Sequence, residues 1–70
     1  MTQGDVETFW QAGSWRNRIE GGEVMNGEYP VRSIAVAVGC AIALSRHVAH
    51  VVFDENGAAI HRDDFRRFEE

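Results

Sequence analysis

The residues predict one small α+β domain of order β-β-α-β-β, a four-stranded antiparallel sheet with one helix packed on one face. Three features carry that prediction. Two short runs before Gly21 alternate with period two, an unbroken apolar stretch from Ile34 to Leu44 falls into stripes of period 3.6, and two further β-rich runs flank Asp54-Glu55-Asn56-Gly57.

From Asp5 to Gln11, Val6, Thr8 and Trp10 alternate with Glu7, Phe9 and Gln11, and after a turn at Ala12-Gly13-Ser14 the alternation resumes from Trp15 to Glu20. Setting Trp10 opposite Trp15 puts Thr8 against Asn17, Val6 against Ile19, Glu7 against Arg18 and Phe9 against Arg16. One face is then aromatic and apolar, and the other carries paired charges.

Gly21-Gly22 ends the hairpin, and Glu23 to Tyr29 predicts a connecting loop with a turn at Asn26-Gly27. The helix starts either near Pro30, which suits a first turn, or at Ser33 as a cap. It ends near Arg46 or His47, where cationic side chains meet the negative end of the helix dipole. Val48 to Phe53 predicts a third strand and Ala58 to Arg62 a fourth, and in the charged tail from Asp63 to Glu70 the alternatives are a short helical turn that packs Phe65 and Phe68 or a frayed end. A helix returning across the sheet makes the third strand run against the first, so the expected strand order is 2-1-3-4, all antiparallel.

Length and composition bound the function. Seventy residues hold a single domain, 1–70, with an ordered core over about 5–62, and a core of this size gains from a partner. Eleven carboxylates against seven arginines, with no lysine, give a net charge of -4, the wrong sign for a general polyanion binder. Cys40 is the lone cysteine, which excludes an internal disulfide and a cysteine-held zinc, and with no export signal or membrane-length apolar run the chain is expected in the cytoplasm.

The order of motifs resembles a family of small uncharacterised bacterial proteins, domain of unknown function 2188. The residues that carry the resemblance are Trp15, Glu20-Gly21, Ala35, Gly39, Ile42, Ala43, Val51-Val52, Asn56-Gly57 and Ile60, over roughly residues 6 to 64. It implies the same β-β-α-β-β order and, the family having no established activity, leaves function open. Two departures stand out: Asn17 occupies an apolar strand position of the pattern, and Ala37, Cys40, Ala41 and Leu44 occupy helix positions that are usually polar.

Those helix positions define the first candidate site. At about 100° per residue, Ala35, Val36, Gly39, Ile42 and Ala43 form one stripe, while Ile34, Ala37, Ala41 and Leu44 form another on the opposite side with Cys40 at its flank. The first stripe has small residues at its centre and suits close packing on a sheet surface of Trp10, Trp15, Val51, Phe53 and Ile60. The second is left for a homodimer or another protein partner, or for cover by the Val24-to-Tyr29 loop and the Phe65/Phe68 tail. Cys40, mid-helix among aliphatic residues, has no neighbour to lower its pKa and is expected to be a structural thiol.

Other constellations point less firmly to chemistry. Phe9, Arg16 and Arg18 on the outer sheet face form an aromatic and cationic surface of the kind that stacks single-stranded bases, but Glu7 and Glu20 lie close enough to neutralise it. If Phe53 pairs with Ala58, His50 falls opposite His61 on that outer face; a register shifted by two puts His50 opposite Asp63 instead. Neither has a short metal-binding spacing, so no metal or other cofactor is expected. No phosphate loop and no nucleophile elbow are present, and Asp63-Asp64 and Glu69-Glu70 are ordinary solvated carboxylates, so the chain is expected not to be an enzyme. The expectation is a small interaction module that self-associates through its helix, the alternative being a single-stranded nucleic-acid binder on the sheet.

Overall fold

The computed structural model describes residues 4–66, and the predicted contributions of Phe68, Glu69 and Glu70 lie outside them. Its elements are β1 (Val6–Gln11), β2 (Ser14–Ile19), α1 (Arg32–Arg46), β3 (Ala49–Phe53) and β4 (Ala59–Asp64). The first hairpin has the predicted register throughout, from Val6 opposite Ile19 to Trp10 opposite Trp15. Its two-residue turn sets both Ala12 (φ 53°) and Gly13 (φ 84°) at positive φ, the conformation whose twist matches that of the strands it joins.

The sheet has the expected order β2-β1-β3-β4 but is mixed, because β1 and β3 run parallel, with Val6 beside His50 and Thr8 beside Val52. The cause is the loop after β2. Residues 23–29 do not stay at the end of the hairpin; they turn back along the free edge of β2, through bridges Arg18–Val24 and Trp15–Tyr29. Tyr29 and Trp15 exchange both backbone hydrogen bonds (2.9 Å each), and Met25 N–H donates to the Asn17 carbonyl (2.8 Å). The chain therefore enters α1 from the opposite end of the sheet, descends, and must climb again as β3. The same loop caps an edge that would otherwise be open to pairing.

Helix α1 begins after Val31, which makes no side-chain cap, and Ser33 lies inside the first turn rather than at the cap. At the other end His47 adopts the left-handed conformation (φ 59°, ψ 47°), and Val48 N–H closes back on the Ala43 carbonyl at 3.1 Å. This reversal is the usual way to satisfy the last carbonyls of a helix, although glycine is its common occupant. Val48, buried directly after it, joins Val6 and Ala43 in the apolar core, with Ile19, Ile42 and Phe65 packed around them.

The expected core also needs correction in β3 and β4. His50 and Val52, not Val51 and Phe53, share the face of Val6 and Thr8; Val51 and Phe53 lie on the other side, only partly buried. Choosing the bulkier apolar pair as the inner one inverted the strand. Between β3 and β4 the register is His50 opposite Asp63, so His50 and His61 are not paired as the first alternative had them. A shift between Val52 and Phe53 leaves Ile60 as an extra residue, half exposed at 50 %, where a core position was expected. Strand β4 also extends through Asp63 and Asp64, which the sequence placed in the tail.

Candidate functional site

Two features of α1 set the chemistry available to this chain, one on each side of the helix. Toward the sheet, the buried residues of α1 are Ala35, Gly39 and Ala43, the centre of the predicted inner stripe. Beneath Gly39 the sheet presents three polar residues from three strands, Thr8, Asn17 and His50, none more than 2 % exposed. A Cβ at position 39 would stand 2.6 Å from Asn17 Oδ1, 2.7 Å from His50 Nε2 and 2.8 Å from Thr8 Oγ1. Glycine is required by this approach of helix backbone to polar side chains, and helical φ has no part in it.

The hydrogen bonds in this cluster have one consistent direction. Asn17 Nδ2 donates to the Ala35 carbonyl (3.1 Å), which turns Oδ1 toward Thr8. The Thr8 hydroxyl then donates its single proton to Asn17 Oδ1 (2.5 Å), and His50 Nε2 must carry a proton to donate to Thr8 Oγ1 (2.7 Å). The chain of donors runs from β3 through β1 and β2 into the helix backbone. Asn17, out of place in the resemblance described above, is the residue that ties sheet to helix. Burial pushes the His50 pKa below 6.5; Asp63, opposite it in β4, acts against that fall and His61 adds to it. A neutral, Nε2-protonated imidazole closed under Gly39 is a latch for the helix.

On its outer side α1 carries what the sequence predicted. Ile34 and Leu44 are 48 % and 49 % exposed, Ala37 and Ala41 are exposed, and Cys40 is at the flank in an intermediate position. Of the two candidates for intramolecular cover, the loop and Phe65 are placed elsewhere, and Phe68 lies outside the described residues. The Val24-to-Tyr29 loop is spent on the edge of β2, and Phe65 packs on the sheet side against the cluster of Val6, Ala43 and Val48.

The outer sheet face has a different arrangement from a base-stacking platform. Phe9 is 7 % exposed, with the Arg18 guanidinium 4.4 Å from its ring centroid. Arg18 Nε donates to Glu7 Oε1 at 2.6 Å, and Arg16 lies 3.4 Å from Glu28. A nucleobase arriving there would have to displace Arg18 from Phe9 and compete with two carboxylates for the cations. His61 contacts Asp63 at 3.1 Å on the exposed strand β4, with Asp63 opposite the buried His50 and His61 opposite Val52.

Among the described residues no helix is long and apolar enough to cross a membrane. Sequence reasoning found the outer stripe because period and hydropathy encode it. It missed the polar latch, whose one sequence signal was a polar Thr8–Asn17 pair in the middle of an otherwise apolar strand face. No protein-family model, curated protein or solved structure matches the chain, and the fold and these two helix faces are what a functional reading has to stand on.

Proposed function

We propose that this chain is a small, non-catalytic, cytoplasmic interaction module that self-associates through the outer face of α1. The observation that carries the reading is the exposure of Ile34, Ala37, Ala41 and Leu44 along one side of the helix while the loop and Phe65 are engaged elsewhere. Removing a leucine-sized side chain from water contributes about 1.5–3 kcal/mol, a large fraction of what holds a domain of this size together. The buried polar cluster supports the same reading from the other direction. It closes against Gly39 and engages its donors internally, so it serves the placement of the helix rather than a substrate.

Sedimentation equilibrium of the wild type and of Leu44→Glu tests this. The wild type is expected to show reversible association over the micromolar range and the variant to sediment as a folded monomer. A monomeric wild type at several hundred micromolar would end the proposal.

A further inference from the structure

We infer that Asn26-Gly27 is a site of spontaneous covalent modification, in which Asn26 deamidates through a cyclic imide and loosens the strap that residues 23–29 lay along β2. The sequence holds two Asn-Gly pairs, at 26–27 and 56–57, and both asparagines are exposed. Their backbones differ. The reaction needs the amide nitrogen of the glycine free to attack the asparagine Cγ. Gly57 N–H is engaged: it donates to the Asp54 carbonyl at 3.0 Å, in a turn also closed by Asn56 N–H and Ala58 N–H on Asp54 Oδ1 (2.8 and 3.0 Å). Among the described residues Gly27 N–H has no acceptor and the Asn26 side chain no partner. Attack at 56 first requires its turn to open, whereas attack at 26 breaks no hydrogen bond.

A solvent base removes the Gly27 amide proton, and the nitrogen lone pair forms a bond to Asn26 Cγ. The side-chain nitrogen leaves as ammonia and a succinimide closes. Water then opens the ring at either carbonyl, giving aspartate, or isoaspartate with the main chain rerouted through Cβ; one water is taken up, one ammonia is released and no oxidation state changes. The position makes the product matter. Residues 26–28 bridge two anchored points, Met25 N–H on the Asn17 carbonyl (2.8 Å) and the paired Trp15–Tyr29 hydrogen bonds (2.9 Å each). Isoaspartate adds a backbone carbon to that span, and either product places a new carboxylate in a stretch that already holds Glu23 and Glu28. Both changes act against the anchoring that closes the edge of β2. The vulnerable glycine is held in place by the backbone, since φ at Gly27 is 118°, so the asparagine is the residue to vary.

Peptide mapping reads the two sites apart, because trypsin leaves Asn26 in the peptide of residues 19–32 and Asn56 in that of residues 47–62. The full chain is held in warm, mildly alkaline buffer, native and in urea, and each peptide is followed for a mass gain of about 1 Da and for isoaspartate. In the native protein Asn26 is expected to deamidate about tenfold faster than Asn56 or more, the factor to which roughly 1.4 kcal/mol of turn opening corresponds. Urea is expected to bring the two rates together. Asn26→Gln, whose longer side chain would have to close a larger ring, is expected to abolish the change in its own peptide and leave Asn56 as before. The isolated isoaspartate form is expected to lose amide-exchange protection at Met25 and Tyr29. Equal native rates, faster loss at Asn56, or a difference that persists in urea would overturn the assignment. Undiminished protection in the isoaspartate form would overturn its effect on the edge.

Discussion

Position 39 is where the helix meets the sheet most closely, and it is occupied by the one residue that adds nothing to the gap. Alanine is the better helix former by about 1 kcal/mol, yet its Cβ would enter within 2.6–2.8 Å of three polar atoms held in one hydrogen-bonded chain. The steric cost wins, because those atoms belong to short side chains on three strands and cannot swing aside without breaking the chain of donors. Gly39→Ala is expected to destabilise the fold by about 2–3 kcal/mol net, a fall in denaturant midpoint with an unchanged slope. A neutral or stabilising effect would show that the helix rides higher over Thr8, Asn17 and His50 than described. An apolar trio in place of these residues would fill the space at lower desolvation cost, but would leave the helix free to slide; Asn17 bound to the Ala35 carbonyl fixes its position.

At the scale of elements, the first hairpin was legible down to register because two alternating runs and a tight turn leave little freedom. The helix was legible too, and so was its division into two stripes. What the sequence hid was the direction of β3, which depends on whether residues 23–29 stop or retrace β2, and no local preference decides that. The phase of β3 was hidden for a related reason: hydropathy ranks Val51 and Phe53 above His50, and only the presence of Thr8 on the neighbouring strand makes a buried histidine affordable. The end of α1 offers a test that belongs to this scale. His47 takes a left-handed conformation that costs a residue with a Cβ and costs glycine little, so His47→Gly is expected to stabilise by about 0.5–1 kcal/mol in thermal or denaturant unfolding. Loss of stability would mean that the imidazole makes a contribution beyond ending the helix.

For the whole molecule, pH acts through the same latch. His50 is held below its ordinary pKa of 6.5 mainly by burial, so the unfolded chain takes up its proton before the folded one does. Stability from this group is complete above that pKa and is lost as the pH falls through 6.5 toward the lower folded value, at a slope that approaches about 1.4 kcal/mol per pH unit. Unfolding temperature is therefore expected to drop between pH 7.5 and 5, and His50→Gln, which keeps a donor but no titrating ring, to flatten that part of the profile. Asp54, held low chiefly by the backbone N–H of Ala58, and Asp64, held at about 2 by hydrogen bonds from Arg66, have the opposite charge type and act in a separate window. Their contributions are present at neutral pH and fade only below the ordinary carboxylate range.

The central claim is that α1 is anchored on one side and left uncovered by the described residues on the other. Amide and methyl NMR spectra recorded as a function of protein concentration separate the two sides in one experiment. Signals of Ile34, Ala37, Ala41 and Leu44 are expected to shift progressively on dilution while those of Thr8, Asn17 and His50 stay fixed. Spectra identical at every concentration, or shifts centred on the sheet instead of the helix, would contradict it.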